Sequence, residues 1–155
     1  RVSRIIHGHT CAAPGQLQGA ATALMPIGEI AKNTPCGVFG TLTQTAVPAT
    51  LPVAPRGEIV TGTAKIRSTV CGTTPRDYDV TILKIYPDGA QDGRNLLLRV
   101  TDPALLPATG GIVQGMSGSP ILQNGKLIGA VTHVLVDDPT TGYGIFLETM
   151  LEAAG

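Results

Sequence analysis

The chain has no tryptophan, only two phenylalanines and three tyrosines, and its 11 basic and 11 acidic side chains leave no net charge. Both shortages argue against nucleic acid as a partner: there is no basic stripe for a phosphate backbone and few rings for bases to stack on. No apolar run approaches the ~18 residues that a membrane-spanning helix requires, and no secretory signal pattern opens the chain. Charged residues are 14% of the total, against about 25% in an average globular protein. Cys11, Cys36 and Cys71 are too few, and odd in number, for a disulfide framework. One bridge with one free thiol, or three reduced thiols, both fit. No phosphate loop, dinucleotide fingerprint or paired-carboxylate arrangement stands out, so no cofactor is expected.

What the chain has in excess is glycine and proline, 20 and 12 of its 155 residues. So many helix breakers, with so few charged positions to coat a surface, argue against a helical bundle and for short strands joined by tight turns. Short apolar or alternating runs fall at Arg1–Ile6, Val38–Val47, Glu58–Arg67, Tyr78–Ile85, Asn95–Val100, Pro120–Gln123, Leu127–Val136 and Tyr143–Leu147. Turn signals separate them at Pro14-Gly15, Pro48–Pro55, Pro87-Asp88-Gly89, Asp92-Gly93, Asn124-Gly125 and Thr140-Thr141-Gly142. Asn124-Gly125 favours positive φ at both turn positions and marks a type I′ hairpin. Pro26–Lys32 reads as one helical turn and Glu148–Ala154 as a short closing helix. The expectation is one all-β domain over residues 1–155, a barrel or sandwich of about eight strands.

The sharpest feature is Gly110-Gly-Ile-Val-Gln-Gly-Met-Ser-Gly-Ser-Pro120, which runs straight into that hairpin. Glycines on both sides of Ser117 allow a tight turn that lifts the hydroxyl clear. The amides of Gly115 and Ser117 can then converge as two donors for the oxyanion formed when an acyl group is attacked. Read alone, the string is equally an ordinary Gly-Ser loop. His7, His9 and Cys11 alternate on one strand face and include zinc-ligand types, but no fourth ligand is evident, and no metal site is expected.

The residues from Gly115 to Pro120, followed by Gly125-Lys-Leu-Ile-Gly-Ala-Val-Thr-His133, resemble the nucleophile region of chymotrypsin-like serine peptidases. Thr101-Asp102-Pro103, Thr109–Ser117, Ala130–Val134, Asp138-Pro139 and Thr141–Gly144 narrow this to the stage IV sporulation protein B family. These are secreted signalling serine peptidases of endospore-forming bacteria. Pro14-Gly15, Ile27-Gly-Glu-Ile30, Asn33 and Cys36–Leu42 are similar to that family too, so the likeness covers nearly the whole chain. It implies a chymotrypsin-like double β-barrel with a short C-terminal helix, Ser117 as nucleophile and Asp102 as the acid that orients a histidine. Ser119 is the competing hydroxyl, but the first serine of the pattern is the one that matches. Without the resemblance, Asp102-Pro103 reads as a turn former. In such folds the strand after the hairpin turn lines the specificity pocket, which puts Thr132 and His133 against substrate. Otherwise His133 is a buried histidine bonded to backbone.

In that family the catalytic histidine sits in a Gly-His motif well ahead of the Pro14-Gly15 region. The expectation is therefore a domain truncated at its N-terminus, with first strands and base upstream of Arg1, and His9 as the in-chain alternative. A chain without that base would be nearly inactive, because an unassisted serine hydroxyl is a poor nucleophile. The family's membrane anchor and PDZ module are likewise not in this sequence. The resemblance implies a membrane-associated protein substrate in sporulation signalling and export across the forespore membrane into the intermembrane space. The alternative is a catalytically incomplete β-domain that holds extended peptides by strand addition.

Overall fold

The computed structural model describes residues 1–8, 14–21, 25–43, 50–89 and 94–155. The chain is predominantly strand: β1 Val2–Ile6, β2 Gln16–Gly19, β3 Gly28–Thr34, β4 Gly37–Leu42, β5 Gly62–Ser68, β6 Arg76–Ile85, β7 Leu96–Val100, β8 Pro120–Gln123, β9 Lys126–Val134 and β10 Thr141–Phe146. Two short helices, α1 Leu105–Thr109 and α2 Leu147–Ala154, and a 3₁₀ turn at Arg56–Glu58 complete it.

Six strands close into an antiparallel barrel in the order β10-β7-β6-β5-β8-β9. Closure follows from the period-two pattern. Ala64, Ile66 and Ser68 of β5, Tyr78, Val80 and Ile82 of β6, and Leu96, Leu98 and Val100 of β7 all turn inward. The register sets Val80 against Val100 and Ile82 against Leu98, so inward residues face one another across the ladder. Phe146 packs into the same core. On the outer face, Lys65 pairs with Asp79 at 2.6 Å, and Arg67 holds both oxygens of Asp77 at 2.6 and 2.9 Å. This all-β barrel with its short C-terminal helix agrees with the expected fold class. The first part of the chain supplies two separate two-stranded sheets, β1-β2 and β3-β4, where the resemblance implies a second barrel.

The Asn124-Gly125 turn has φ of 52° and 77°, the left-handed pair that the sequence specifies. Pro26–Lys32 is corrected: Gly28–Thr34 is strand, paired with β4 from Gly28↔Leu42 to Thr34↔Gly37. A single turn of helix is too short to propagate, and the β4 ladder satisfies the same backbone groups along its whole length. The turn expected at Thr140-Thr141-Gly142 lies one step earlier. Asp138 accepts from the amide and hydroxyl of Thr140 and the hydroxyl of Thr141, so Thr141 and Gly142 already belong to β10. Asp92-Gly93 and part of the Val38–Val47 run lie outside the described residues.

The two hairpins dock differently. The β1-β2 sheet lies against the serine loop through Gly8 N–H to Thr109 C=O, Gln114 N–H to Gly15 C=O and Leu17 N–H to Gln114 C=O, each 2.8 Å. The β3-β4 sheet reaches α2, where Lys32 Nζ donates to the Ala154 carbonyl at 2.7 Å. A cation at that end complements the helix dipole. The start of α2 is held by buried Asn95, whose Oδ1 accepts from the Phe146 amide at 3.0 Å. No helix among the described residues is long and apolar enough to cross a membrane.

Leu98 has no exposed surface, so Leu98→Ala is expected to cost about 2–5 kcal/mol of unfolding free energy in urea titrations. Leu151, 59% exposed on α2, is the control: Leu151→Ala should change stability by less than ~0.5 kcal/mol.

Candidate active site

The serine loop begins where α1 ends at Gly110 and continues to β8. Buried Ile112, Val113 and Met116 anchor it to the core, while Gly115, Ser117 and Gly118 are exposed. Two turns fold it back on itself, Met116 N–H to Val113 C=O at 3.1 Å and Ser119 N–H to Met116 C=O at 3.0 Å. Gly115 and Gly118 have φ of 97° and 86°, backbone that costs a side-chain-bearing residue about 1–2 kcal/mol. The glycines on either side of Ser117 are thus required by the turn itself.

The loop is then clamped to β9. Gly118 N–H donates to Val131 C=O at 2.8 Å, and Val131 N–H returns to Ser119 C=O at 2.9 Å. Between β9 and β10 the register steps from Tyr143↔His133 to Gly144↔Val131, leaving Thr132 as an extra, bulged residue. Bulges re-aim backbone and side chain. Here the Thr132 carbonyl accepts the Ser117 hydroxyl at 2.8 Å, while its own hydroxyl donates to the Tyr143 carbonyl at 3.2 Å.

The two competing serines are distinguished by this geometry. Ser117 is exposed, whereas Ser119 is buried and donates to the Ser68 hydroxyl at 3.1 Å. Among the described residues, neither the Gly115 nor the Ser117 amide donates to a protein acceptor.

A cleft of about 170 Å³ opens beside Ser117 and Gly118. Thr132 and His133 line it on the β9 side, with His133 exposed rather than buried. It is also lined by Pro35 and Cys36 of the β3-β4 turn, Val38 of β4, Ile145 of β10 and Met150 of α2. Sequence reasoning had assigned neither the turn nor Met150 to the site. Pro35-Cys36-Gly37 carries a turn signal that could have marked a hairpin tip. Cys36 and Cys71 are both free thiols.

Asp102 does not line that cleft. It sits just before α1, buried, and its carboxylate collects backbone amides. Oδ1 accepts from Ala104 and Leu105, each at 2.8 Å, and Oδ2 accepts from Asp79 at 3.0 Å. Burial pushes the carboxyl up, but the amides of Asp79, Leu105 and Ala104 outweigh it and hold it below its ordinary pKa. His7 Nδ1 is 2.7 Å from the Gly8 carbonyl, beside Gly110. His9 and Cys11, and with them the in-chain base and the zinc alternative, lie outside the described residues.

A barrel that presents an exposed serine on a glycine turn beside a small cleft carries the nucleophile arrangement of a serine hydrolase. Comparison with known families agrees: the family model for SpoIVB peptidase S55 matches residues 1–151, and the chain belongs to that family of peptidases. No curated protein and no solved structure matches it.

Because the folded-state carboxyl of Asp102 titrates below its ordinary value, its stabilising contribution is complete above about pH 3.9. It is lost as pH falls through the lower folded-state value. Asp102→Asn cannot accept at both side-chain positions and should cost about 1–3 kcal/mol at pH 7. Urea titrations across the acid range should show that difference shrinking as the wild-type carboxyl protonates.

Proposed function

We propose that this chain is a serine endopeptidase domain working by acyl-enzyme chemistry at Ser117. The observation that carries the reading is the split between the two serines, Ser117 exposed on its glycine turn and Ser119 buried against Ser68. An extended peptide would lie along β9 at Thr132 and His133, with its scissile carbonyl over Ser117. Ser117 Oγ attacks the carbonyl carbon while its proton passes to an imidazole, and the Gly115 and Ser117 amides hold the resulting oxyanion. The imidazole then protonates the leaving amine as the C–N bond breaks. Water, deprotonated by the same imidazole, hydrolyses the ester and restores Ser117.

Asp102 is the residue proposed to orient that imidazole, which by family resemblance comes from a Gly-His motif ahead of Pro14-Gly15. The same resemblance supports a membrane-associated protein as substrate, cleaved in sporulation signalling in the space between the forespore and mother-cell membranes. One observation favours a second reading, a domain that holds peptide without cleaving it. The Ser117 hydroxyl rests on the Thr132 carbonyl, which cannot take its proton.

Fluorophosphonate labelling of the protein as the cell makes it separates the two. Ser117 should label, Ser117→Ala should abolish labelling, and Ser119→Ala should retain it. Label on Ser119 removes Ser117 from the mechanism, and label on neither serine leaves the peptide-holding reading.

A further inference from the structure

The serine loop is held on both sides of Ser117, by β9 after it and by the first hairpin before it. Gln114 meets that hairpin with both of its backbone groups. Its N–H donates to the Gly15 carbonyl and its carbonyl accepts from the Leu17 N–H, each at 2.8 Å, a parallel bridge centred on Gln16 and Gln114. The Gln114 carbonyl and the Gly115 N–H belong to one planar trans peptide, so they point in opposite directions. Fixing the carbonyl on β2 therefore fixes the Gly115 N–H on the side away from β2. Among the described residues that N–H donates to no protein acceptor, so the peptide is held through its carbonyl.

Such a hold is needed there. Gly115, at φ 97°, accepts either orientation of the peptide before it without a side-chain penalty. One backbone hydrogen bond biases such a choice by roughly 2–10-fold. The hairpin that supplies it is firmly seated. Gly8 N–H donates to the Thr109 carbonyl at 2.8 Å, and a Cβ on Gly110 would come within 2.2 Å of the Gly8 oxygen. The Leu17 side chain, half-buried and packed on the core, would lie 3.2 Å from a Cβ on Gly115.

We infer that Leu17 is a positioning residue for acyl transfer at Ser117: its N–H, acting through the Gln114 carbonyl, aims the Gly115 amide at the oxyanion. This rests on the peptidase reading of Ser117 and adds a requirement to it, that the β1-β2 hairpin be seated before that donor is in place. One oxyanion donor thus takes its direction from the first hairpin, while Gly118 and Ser119 take theirs from the barrel.

The test removes that one N–H. In the protein as the cell makes it, leucine 17 is replaced by its α-hydroxy acid through cell-free nonsense suppression. This keeps the side chain and turns the donor into an ester oxygen, which repels the Gln114 carbonyl. The control puts lactic acid at Ala20, whose N–H donates to the Arg1 carbonyl at 3.1 Å within the same hairpin. Inactivation by a peptidyl diphenyl phosphonate, read by mass spectrometry at Ser117, gives kinact and KI separately. The Leu17 ester should lower kinact at least ~5-fold, toward the ~10²–10³-fold of a lost oxyanion donor. Its KI should stay within ~2-fold of wild type, because the loss falls on the reacting state. The Ala20 ester should change neither constant, and Leu17→Ala, which keeps the N–H, should retain more kinact than the Leu17 ester.

Wild-type kinact in the Leu17 ester overturns the inference and leaves the peptidase reading standing. So does an equal loss in the Ala20 ester or in Leu17→Ala. Failure of the Leu17 ester to fold, or a KI that rises as kinact falls, gives Leu17 a merely structural role and overturns it too. A wild-type protein that the phosphonate does not inactivate removes the peptidase reading, and the inference with it.

Discussion

The reciprocal pair of hydrogen bonds between the serine loop and β9, Gly118 N–H to Val131 C=O and Val131 N–H to Ser119 C=O, is the contact on which the rest of the site depends. Each bond contributes only about 1 kcal/mol to stability, and their importance is positional. They fix Gly118 and Ser119 against a strand that is itself paired on both sides, to β8 and to β10. The loop therefore takes its position from barrel closure. With Ser119 drawn inward to Ser68 and Gly118 turned at positive φ, Ser117 has only the outward direction left. The bulge at Thr132 then sets the first acceptor that the hydroxyl meets.

The scarcity of charge acquires a location in the same geometry. The pairs Lys65–Asp79, Arg67–Asp77 and Lys126–Glu58, and the cluster of Arg56 with Glu148 and Glu152, lie on exposed or half-exposed surface. None of these side chains lines the cleft beside Ser117. The absence of lysine, arginine, aspartate and glutamate from its lining is a matter of placement as well as composition.

Local signals were legible in the sequence because their cause is local. Asn124-Gly125 fixes its turn through its own φ preferences, and the glycines around Ser117 announce a backbone that other residues resist. The closing helix, expected from Glu148, begins at Leu147. What could not be read depends on distant partners. Gln16–Gly19 has one apolar residue and is a strand because β1 pairs with it. Gly28–Thr34 becomes strand through β4, against a local pattern that also fits a helical turn. The helix Leu105–Thr109 contains Pro107, a breaker by composition, tolerated because it falls in the first turn, where amides have no helical partner anyway. The cleft joins Cys36, Ser117 and Met150, and no sequence spacing foretells that meeting.

Asp102 shows why a turn-forming and a catalytic reading of one residue need not compete. Its three backbone amides begin α1 and tie it to β6, the structural work expected of Asp-Pro. The same amides stabilise the ionised form and immobilise both oxygens, which is what orienting an imidazole requires. A carboxylate offers about four acceptor positions. Among the described residues three are taken, and Oδ2 accepts one hydrogen bond where Oδ1 accepts two. A carboxylate fixed by backbone alone keeps its charge and direction whether or not an imidazole is in place. The structural role of Asp102 would thus supply the preorganisation on which its proposed catalytic role depends.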